Sequence, residues 1–465
     1  MLSLNPCKTA CALLLLCLAA TVSLPAQTFA TLVDLNGVTA GRPFSPLVQY
    51  IDGNLYGEDG GIFKVTPAGT VTTVHNFIAG ARGGLAVGTN LDLYGTSTSE
   101  GEFCFDCGSV FQITPNGTAF LVHQFAGGDD GLGPFGGVIE AADGNFYGTT
   151  IQGGGFSLGT IFKMTASGAV TTLNEFHGVS DGQTPYAGLI QATDGNFYGV
   201  AAFGGANGYG TIFKITTSGV LTVLHNFDGT DGANPQTSLV QATNGNLYGA
   251  ALYGGANNVC FQGCGAIFEI NPSTSAFTLL HSFDNTDGQY PTGLIQATDG
   301  NLYGATVGCV PGNNCVPVNQ GTVFQITPTG TLTTLHSFTG PDGESPAAAP
   351  VQATNGMIYG TTLAGGPGYA GFTPSGSGTI YTISLGAAPF VTAVPPARHV
   401  GQKILILGTG LTGATSVTFN GVSATFTVSS DTRINATVPA GATSGSIQVV
   451  TPSGTLSSNI AFVVP

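Results

Sequence analysis

Tryptophan is absent from this 465-residue chain, methionine occurs 3 times, and charged residues make up 7% of it. Helices draw on charged and straight-chain residues, so this vocabulary argues against a helical protein. Lysine and arginine together number 9 against 24 aspartates and glutamates, a net charge of −15 that argues against nucleic acid and anionic membranes as partners. Beyond the N-terminus, no stretch approaches the roughly 20 apolar residues that a spanning helix needs. There is also no Gly-Xaa-Ser-Xaa-Gly elbow, no phosphate loop and no His-Glu-Xaa-Xaa-His motif, so the common signatures of hydrolases, nucleotide enzymes and zinc peptidases are missing. What the chain has in quantity is glycine, 73 residues, among β-branched and aromatic residues. That is the composition of a turn-dense, all-β protein.

Residues 1–26 read as a secretory signal peptide. Lys8 is their one charge, Ala12 to Ala20 is continuously apolar, and Leu24-Pro25-Ala26 precedes the polar Gln27. Cleavage is expected after Ala26, with Ala30 as the alternative, and the mature chain is expected outside the cell or at its surface.

The rest is organised by a repeat of about 50 residues. Its first anchor has the form Asp-Gly-Asn-Leu-Tyr-Gly, at Asp52 to Gly57, Asp143 to Gly148, Asp194 to Gly199, Asn244 to Gly249 and Asp299 to Gly304. Weaker copies stand at Asn90 to Gly95 and Asn355 to Gly360. The second anchor, Gly-Thr-Ile-Phe-Lys-Ile-Thr or a variant, places an aromatic at Phe63, Phe111, Phe162, Phe213, Phe268, Phe324 and Tyr381. An apolar run precedes the first anchor and an alternating run follows the second, which makes four short strands per unit joined by tight turns. Four strands in an antiparallel meander are one propeller blade, and both anchors occur seven times.

The last blade lacks its fourth strand, because Tyr381 runs directly into Ser384-Leu385-Gly386. Phe29 to Leu35, just after the signal peptide, has the missing alternation. The expected fold is therefore a seven-bladed β-propeller over 27–386 in which the N-terminal strand closes blade seven, so that no edge stays unpaired.

These anchors resemble the tandem repeat of the GloVer-type (Gloeobacter/Verrucomicrobium-type) choice-of-anchor proteins, over about residues 29–386. The resemblance implies a surface or secreted location and no particular chemistry. Members typically end in a sorting anchor. This sequence ends at Phe462-Val463-Val464-Pro465 with no apolar helix or basic tail, so free secretion is expected.

From about Pro389 the vocabulary changes: Pro389-Phe390-Val391, Gly408-Thr409-Gly410-Leu411, Val417 to Gly421, Thr437 to Gly441, and Thr451-Pro452-Ser453-Gly454. In that order these motifs resemble an IPT/TIG domain, which implies an immunoglobulin-like β-sandwich over 387–465. The alternation Ala424-Thr425-Phe426-Thr427-Val428 supports a sandwich independently. Some relatives of this domain bind DNA, but with Arg398, Lys403 and Arg433 as its cations this copy is expected to be a spacer or adhesion module.

Six cysteines remain after the signal peptide, as the local pairs Cys104–Cys107, Cys260–Cys264 and Cys309–Cys315 in the loops between strands two and three. In an exported chain such pairs are expected to form disulfides, each contributing roughly 2 kcal/mol. A redox Cys-Xaa-Xaa-Cys at 104–107 would want a helix N-terminus, and a zinc site would need two pairs from different blades to converge. Five of the 7 histidines, His75, His123, His225, His281 and His336, fill one slot of strand four, with Asn174 in the sixth copy, and are expected to hold the blade together rather than to catalyse. The Asp-Gly-Xaa-Xaa-Pro loops at Asp130, Asp181, Asp231, Asp287 and Asp342 offer carboxylates to calcium, yet one or two per loop fall short of the six oxygens calcium wants.

The residues that break the repeat, Glu58, Asp59, Arg82, Glu100, Glu102, Glu140, Glu175 and Glu344, are the candidates for catalysis. None forms a convincing pair, so no catalytic, metal or cofactor site is expected. The expected function is a non-enzymatic binding or scaffold protein, a monomer, presenting loops from one propeller face to an extracellular glycan or protein. The strand two to three loops are longest in blades five to seven, at 254–264, 307–320 and 365–377. The rival expectation is a secreted carbohydrate-active lyase or hydrolase using Glu140, Glu175 and Glu344 at the propeller mouth.

Overall fold

The structure is a computed structural model that describes residues 27–36, 42–76, 83–98, 107–257, 259–308, 320–367 and 376–465. Residues 1–26, expected to be a signal peptide, lie outside them. Apart from one 3-10 turn at Gly128–Asp130, the described residues form no helix, and none is long and apolar enough to cross a membrane. Seven four-stranded antiparallel sheets make the blades of a propeller, and two further four-stranded sheets make the immunoglobulin-like unit. Blade four shows the pattern: Ile190–Gln191, Phe197–Ala201, Thr211–Ile215 and Leu221–Asn226, paired in sequence order.

The two anchors turn out to face each other. Gly148 pairs with Phe162 and Gly199 with Phe213 across strands two and three. A Cβ on either glycine would stand 2.6 Å from the ring's Cζ, closer than real Cβ atoms come. The bare glycine is therefore the floor on which the ring lies. The same pairing recurs at Gly57–Phe63, Gly95–Phe111, Gly249–Phe268, Gly304–Phe324 and Gly360–Tyr381.

Successive strand residues point to opposite faces, so the tyrosine before each glycine faces the other way. Tyr147 stacks on Phe197 of blade four at 4.1 Å between ring centroids, while Phe162 meets Phe125 of blade two edge-on at 5.1 Å. All four rings are fully buried, each burial contributing roughly 1.5–3 kcal/mol. The apolar core thus lies between blades, in separate clusters.

The Asp-Gly-Asn turn explains the polar half of the first anchor. Asp143 accepts hydrogen bonds from the Asn145 N–H at 3.0 Å, the Tyr147 hydroxyl at 2.8 Å and Lys163 Nζ, on strand three, at 2.8 Å. Burial works against the charged carboxylate, but these donors outweigh it and hold Asp143 at about 2. Asp194 repeats the node with Asn196, Tyr198 and Lys214.

Neighbouring blades are also tied by a polar ladder at the end of strand one. Gln191 accepts the Ala142 N–H from blade three, Gln241 the Thr193 N–H from blade four, and Gln296 the Thr243 N–H from blade five, at 2.8–2.9 Å. Gln352 takes the Thr298 N–H at 2.9 Å, and Gln49 of blade one takes the Thr354 N–H of blade seven at 2.8 Å.

The N-terminal strand Thr28–Asp34 pairs antiparallel with Thr379–Ser384 of blade seven, Phe29 opposite Ile383. Phe29 also stacks on His336 of blade six, centroids 3.5 Å apart. One buried cluster joins Leu47, Leu55 and Phe63 of blade one to Ala353, Tyr359 and Ile380 of blade seven, with Leu35 between them. Removing residues 27–36 is expected to lower the melting temperature by more than about 5 °C in calorimetry. An unchanged melt would contradict a propeller held shut by this strand.

Candidate functional site

The propeller has two unlike ends. At one, the immunoglobulin-like unit packs onto the ends of the first strands. Its Arg398, 6% exposed, forms a buried ion pair with Glu140 and donates to the Ala141 carbonyl at 2.9 Å and the Thr89 hydroxyl at 3.1 Å. Thr432 donates to the Ile51 carbonyl at 2.7 Å, and Thr354 and Thr409 share a hydrogen bond at 3.1 Å. Between the two units lies a largely apolar chamber of about 450 Å³, walled by Val48, Ile190 and Val240 on one side and Phe390, Val394 and Val463 on the other. The unit expected to be a spacer is packed against the ring.

Glu140 stands in the ladder slot that glutamine fills in blades one and four to seven, and accepts the Thr89 N–H at 2.7 Å as those glutamines do. A carboxylate in a glutamine slot was the signal in the sequence for a cationic partner, and Arg398 is that partner.

The opposite end carries the Asp-Gly-Xaa-Xaa-Pro loops. Their aspartates answer the strand-four histidines: His225 meets Asp231 at 2.7 Å, His281 meets Asp287 at 2.6 Å, His336 meets Asp342 at 2.7 Å, and His123 meets Asp130 at 3.2 Å. The second carboxylate oxygen takes backbone N–H groups, as Asp231 does from Asp228 at 2.9 Å and Asp342 from Thr339 at 2.8 Å. Burial alone would raise Asp342; the Thr339 and His336 donors overcome it and hold the carboxyl below its usual range. In blade three His177, beyond strand four, pairs with Asp181 at 3.0 Å. These oxygens are engaged in fixing loops, and no group of three or more metal-ligating side chains occurs among the described residues.

The repeat-breaking acids are scattered. Glu140 faces the immunoglobulin-like unit, Glu175 at the end of strand four accepts the Gly155 N–H at 2.7 Å, and Glu344 lies buried in the blade-seven loop, raised by burial against the pull of Arg42. Strand one and strand four are opposite edges of blade three, which parts Glu140 from Glu175, and Glu344 belongs to the connection between blades six and seven. Glu58 is fully buried, accepts the Gly84 N–H at 2.8 Å, and is pushed up to about 7 by burial. Asp59 accepts the Gly61 N–H at 3.1 Å. Arg82, Glu100 and Glu102 lie outside the described residues, as do Cys104, Cys309 and Cys315.

The channel along the axis, about 560 Å³, is lined by small and uncharged residues such as Ser45, Gly136, Ala187, Thr237 and Ala348, with Phe44, Phe135 and Tyr186 among them. Beside it on the loop face, between blades four and five, is a cleft of about 960 Å³. Phe203, Tyr209 and Tyr253 line it with Asp228, Asn234, Gln236 and Gln262, and Gln236 borders the channel as well. One wall is the loop of Cys260 and Cys264, which are disulfide-bonded with Cα atoms 5.0 Å apart. Cys107 is buried. Sequence reasoning, guided by loop length toward blades five to seven, did not single out Phe203 or Tyr209.

A propeller of tandem repeats joined to an immunoglobulin-like unit is the class that this architecture defines. The profile of the Gloeobacter/Verrucomicrobia repeat matches residues 82–317 and 168–380, more than half of the chain, and the chain belongs to that family. An IPT/TIG domain matches residues 389–464. No curated protein matches the sequence. Among solved structures, a putative 6-phosphogluconolactonase from Bacteroides uniformis is similar at 14% identity and TM-score 0.44, over 68% of this chain and 88% of that one. The extracellular domain of a putative hybrid two-component system from B. thetaiotaomicron is similar at 13% identity and TM-score 0.48, over 90% of this chain and 52% of that one. A gluconolactonase from Xanthomonas campestris follows at 14% identity and TM-score 0.40, over 78% of this chain and 90% of that one.

Removing one partner of a buried ion pair typically costs about 3–5 kcal/mol, because the other charge stays buried and unpaired. Arg398→Ala is therefore expected to loosen the immunoglobulin-like unit, so that limited proteolysis cuts the connection near residues 385–390 while the wild type resists. Equal resistance of the two proteins would show that the interface does not rest on this pair.

Proposed function

We propose that this chain is a secreted or cell-surface protein that binds without catalysis and presents one propeller face to an extracellular glycan or surface protein. The observation that carries this reading is the asymmetry of the two ends. One end is covered by the immunoglobulin-like unit, while the other opens an uncharged channel and a cleft with exposed aromatic side chains. Binding sites of this kind are concave, mostly apolar and edged by a few polar groups. Rigid blades with variable loops are how such faces are built. The immunoglobulin-like unit contributes a fixed base, and the disulfide at Cys260–Cys264 braces the cleft wall. The Cys104–Cys107 and Cys309–Cys315 pairs are proposed to brace neighbouring loops of the same kind.

Glycan-array and pull-down measurements on the secreted chain, beside a variant with the loops at 254–264, 307–320 and 365–377 shortened, test this reading. The intact protein is expected to retain a ligand that the trimmed protein releases. Unaltered binding by the trimmed protein would remove the loop face from the account.

A further inference from the structure

We infer that the cleft between blades four and five is a binding site for a neutral polysaccharide, a reading that rests on the proposed extracellular binding role and names its ligand class. Tyr209 and Phe203 are 47% and 41% exposed, whereas the anchor tyrosines are buried throughout. Their backbones are not loose. Phe203 exchanges hydrogen bonds with Gln183 at 2.8 and 3.2 Å, and the Tyr209 carbonyl accepts the Asn234 N–H at 2.9 Å. The Tyr209 ring lies across Gly229, where a Cβ would come within 3.2 Å of it, so the loop beneath is shaped to support the ring. One side of the Tyr209 ring is held and the other is offered to solvent.

Sugar rings present faces of C–H groups that pack on the electron-rich face of an aromatic ring, and rims of hydroxyls that need donors and acceptors. The cleft supplies both kinds of partner. Gln236 and Gln262 line the cleft with amides, and Asp228 adds a carboxylate. A protein-docking patch would be contiguous and apolar; here the rings are separated by amides and glycines. Among the described residues no lysine, arginine or histidine lines the cleft or the channel, and the whole chain carries −15, so an anionic polysaccharide would meet repulsion. Gln236 borders both spaces, which gives an extended chain a path from the cleft toward Tyr186 and Phe135 at the channel. A polymer rather than a single sugar uses that length.

The test is affinity electrophoresis of the full secreted chain through gels containing a soluble glucan, galactomannan or xylan, with polygalacturonate as the anionic counterpart. At least one neutral polymer is expected to retard the wild type. Tyr209→Ala and Phe203→Ala should each weaken that retardation about tenfold or more, as truncation of an aromatic anchor does. Phe120→Ala, which removes an exposed ring on an outer strand, should leave it unchanged. Melting curves are read alongside, and Tyr209→Phe should keep most of the binding. No retardation by any of the neutral polymers, or retardation indifferent to Tyr209→Ala and Phe203→Ala, overturns the assignment. Preferential retardation by polygalacturonate overturns its neutral character. If the neutral polymers fail while the loop-trimmed protein loses a protein partner in pull-downs, the glycan assignment falls and the loop-face reading stands.

Discussion

Within each blade, a glycine of strand two lies under the aromatic ring of strand three, and most of the architecture follows from that contact. The missing Cβ lets Phe213 lie flat across Gly199 within its own blade and still reach the blade before it, while Tyr198 on the opposite face reaches the blade after it. One blade therefore buries a ring on each side. A single sheet cannot bury both faces by itself, so each needs a neighbour on either side, and a propeller meets that need. The polar part of the motif serves the same end: the aspartate of the turn holds the tyrosine hydroxyl and the strand-three lysine, which fixes strand two against strand three.

With blade geometry fixed by strands two and three, the two ends of the propeller are free to diverge. At the strand-one end, glutamines carry turn N–H groups from blade to blade, and a carboxylate at Glu140 makes a place for Arg398. At the other end, the His–Asp pairs tie the last strand of a blade to the loop that leaves it, which spends their chemistry on structure. Among the described residues there, exposed Phe203 and Tyr209 line one cleft with Gln236 and Gln262 between blades four and five.

Much of the fold was legible from sequence because the repeat carries its own count: seven glycine-bearing anchors and seven aromatics. Reading them as separate signals overlooked that Gly148 and Phe162 are two halves of one contact, which only register reveals. The displaced strand at Phe29 was legible from alternation alone. The site was less so. Exposure of Phe203 and Tyr209 depends on how the loops cross, and neither residue type nor loop length encodes that. Glu140 was marked as breaking the repeat and assigned to a mouth of acids in the rival enzyme reading. Its counterparts in five other blades, all glutamines, held the better clue to a partner on another unit.

A double-mutant cycle on Gly199→Ala and Phe213→Leu, read by denaturant unfolding, tests the glycine–ring contact most directly. Gly199→Ala alone is expected to cost about 1–3 kcal/mol through overpacking. Shortening the partner to leucine should recover part of that loss, leaving a coupling of at least about 0.5 kcal/mol between the two positions. Costs that simply add, with no coupling, would contradict a blade built on this contact.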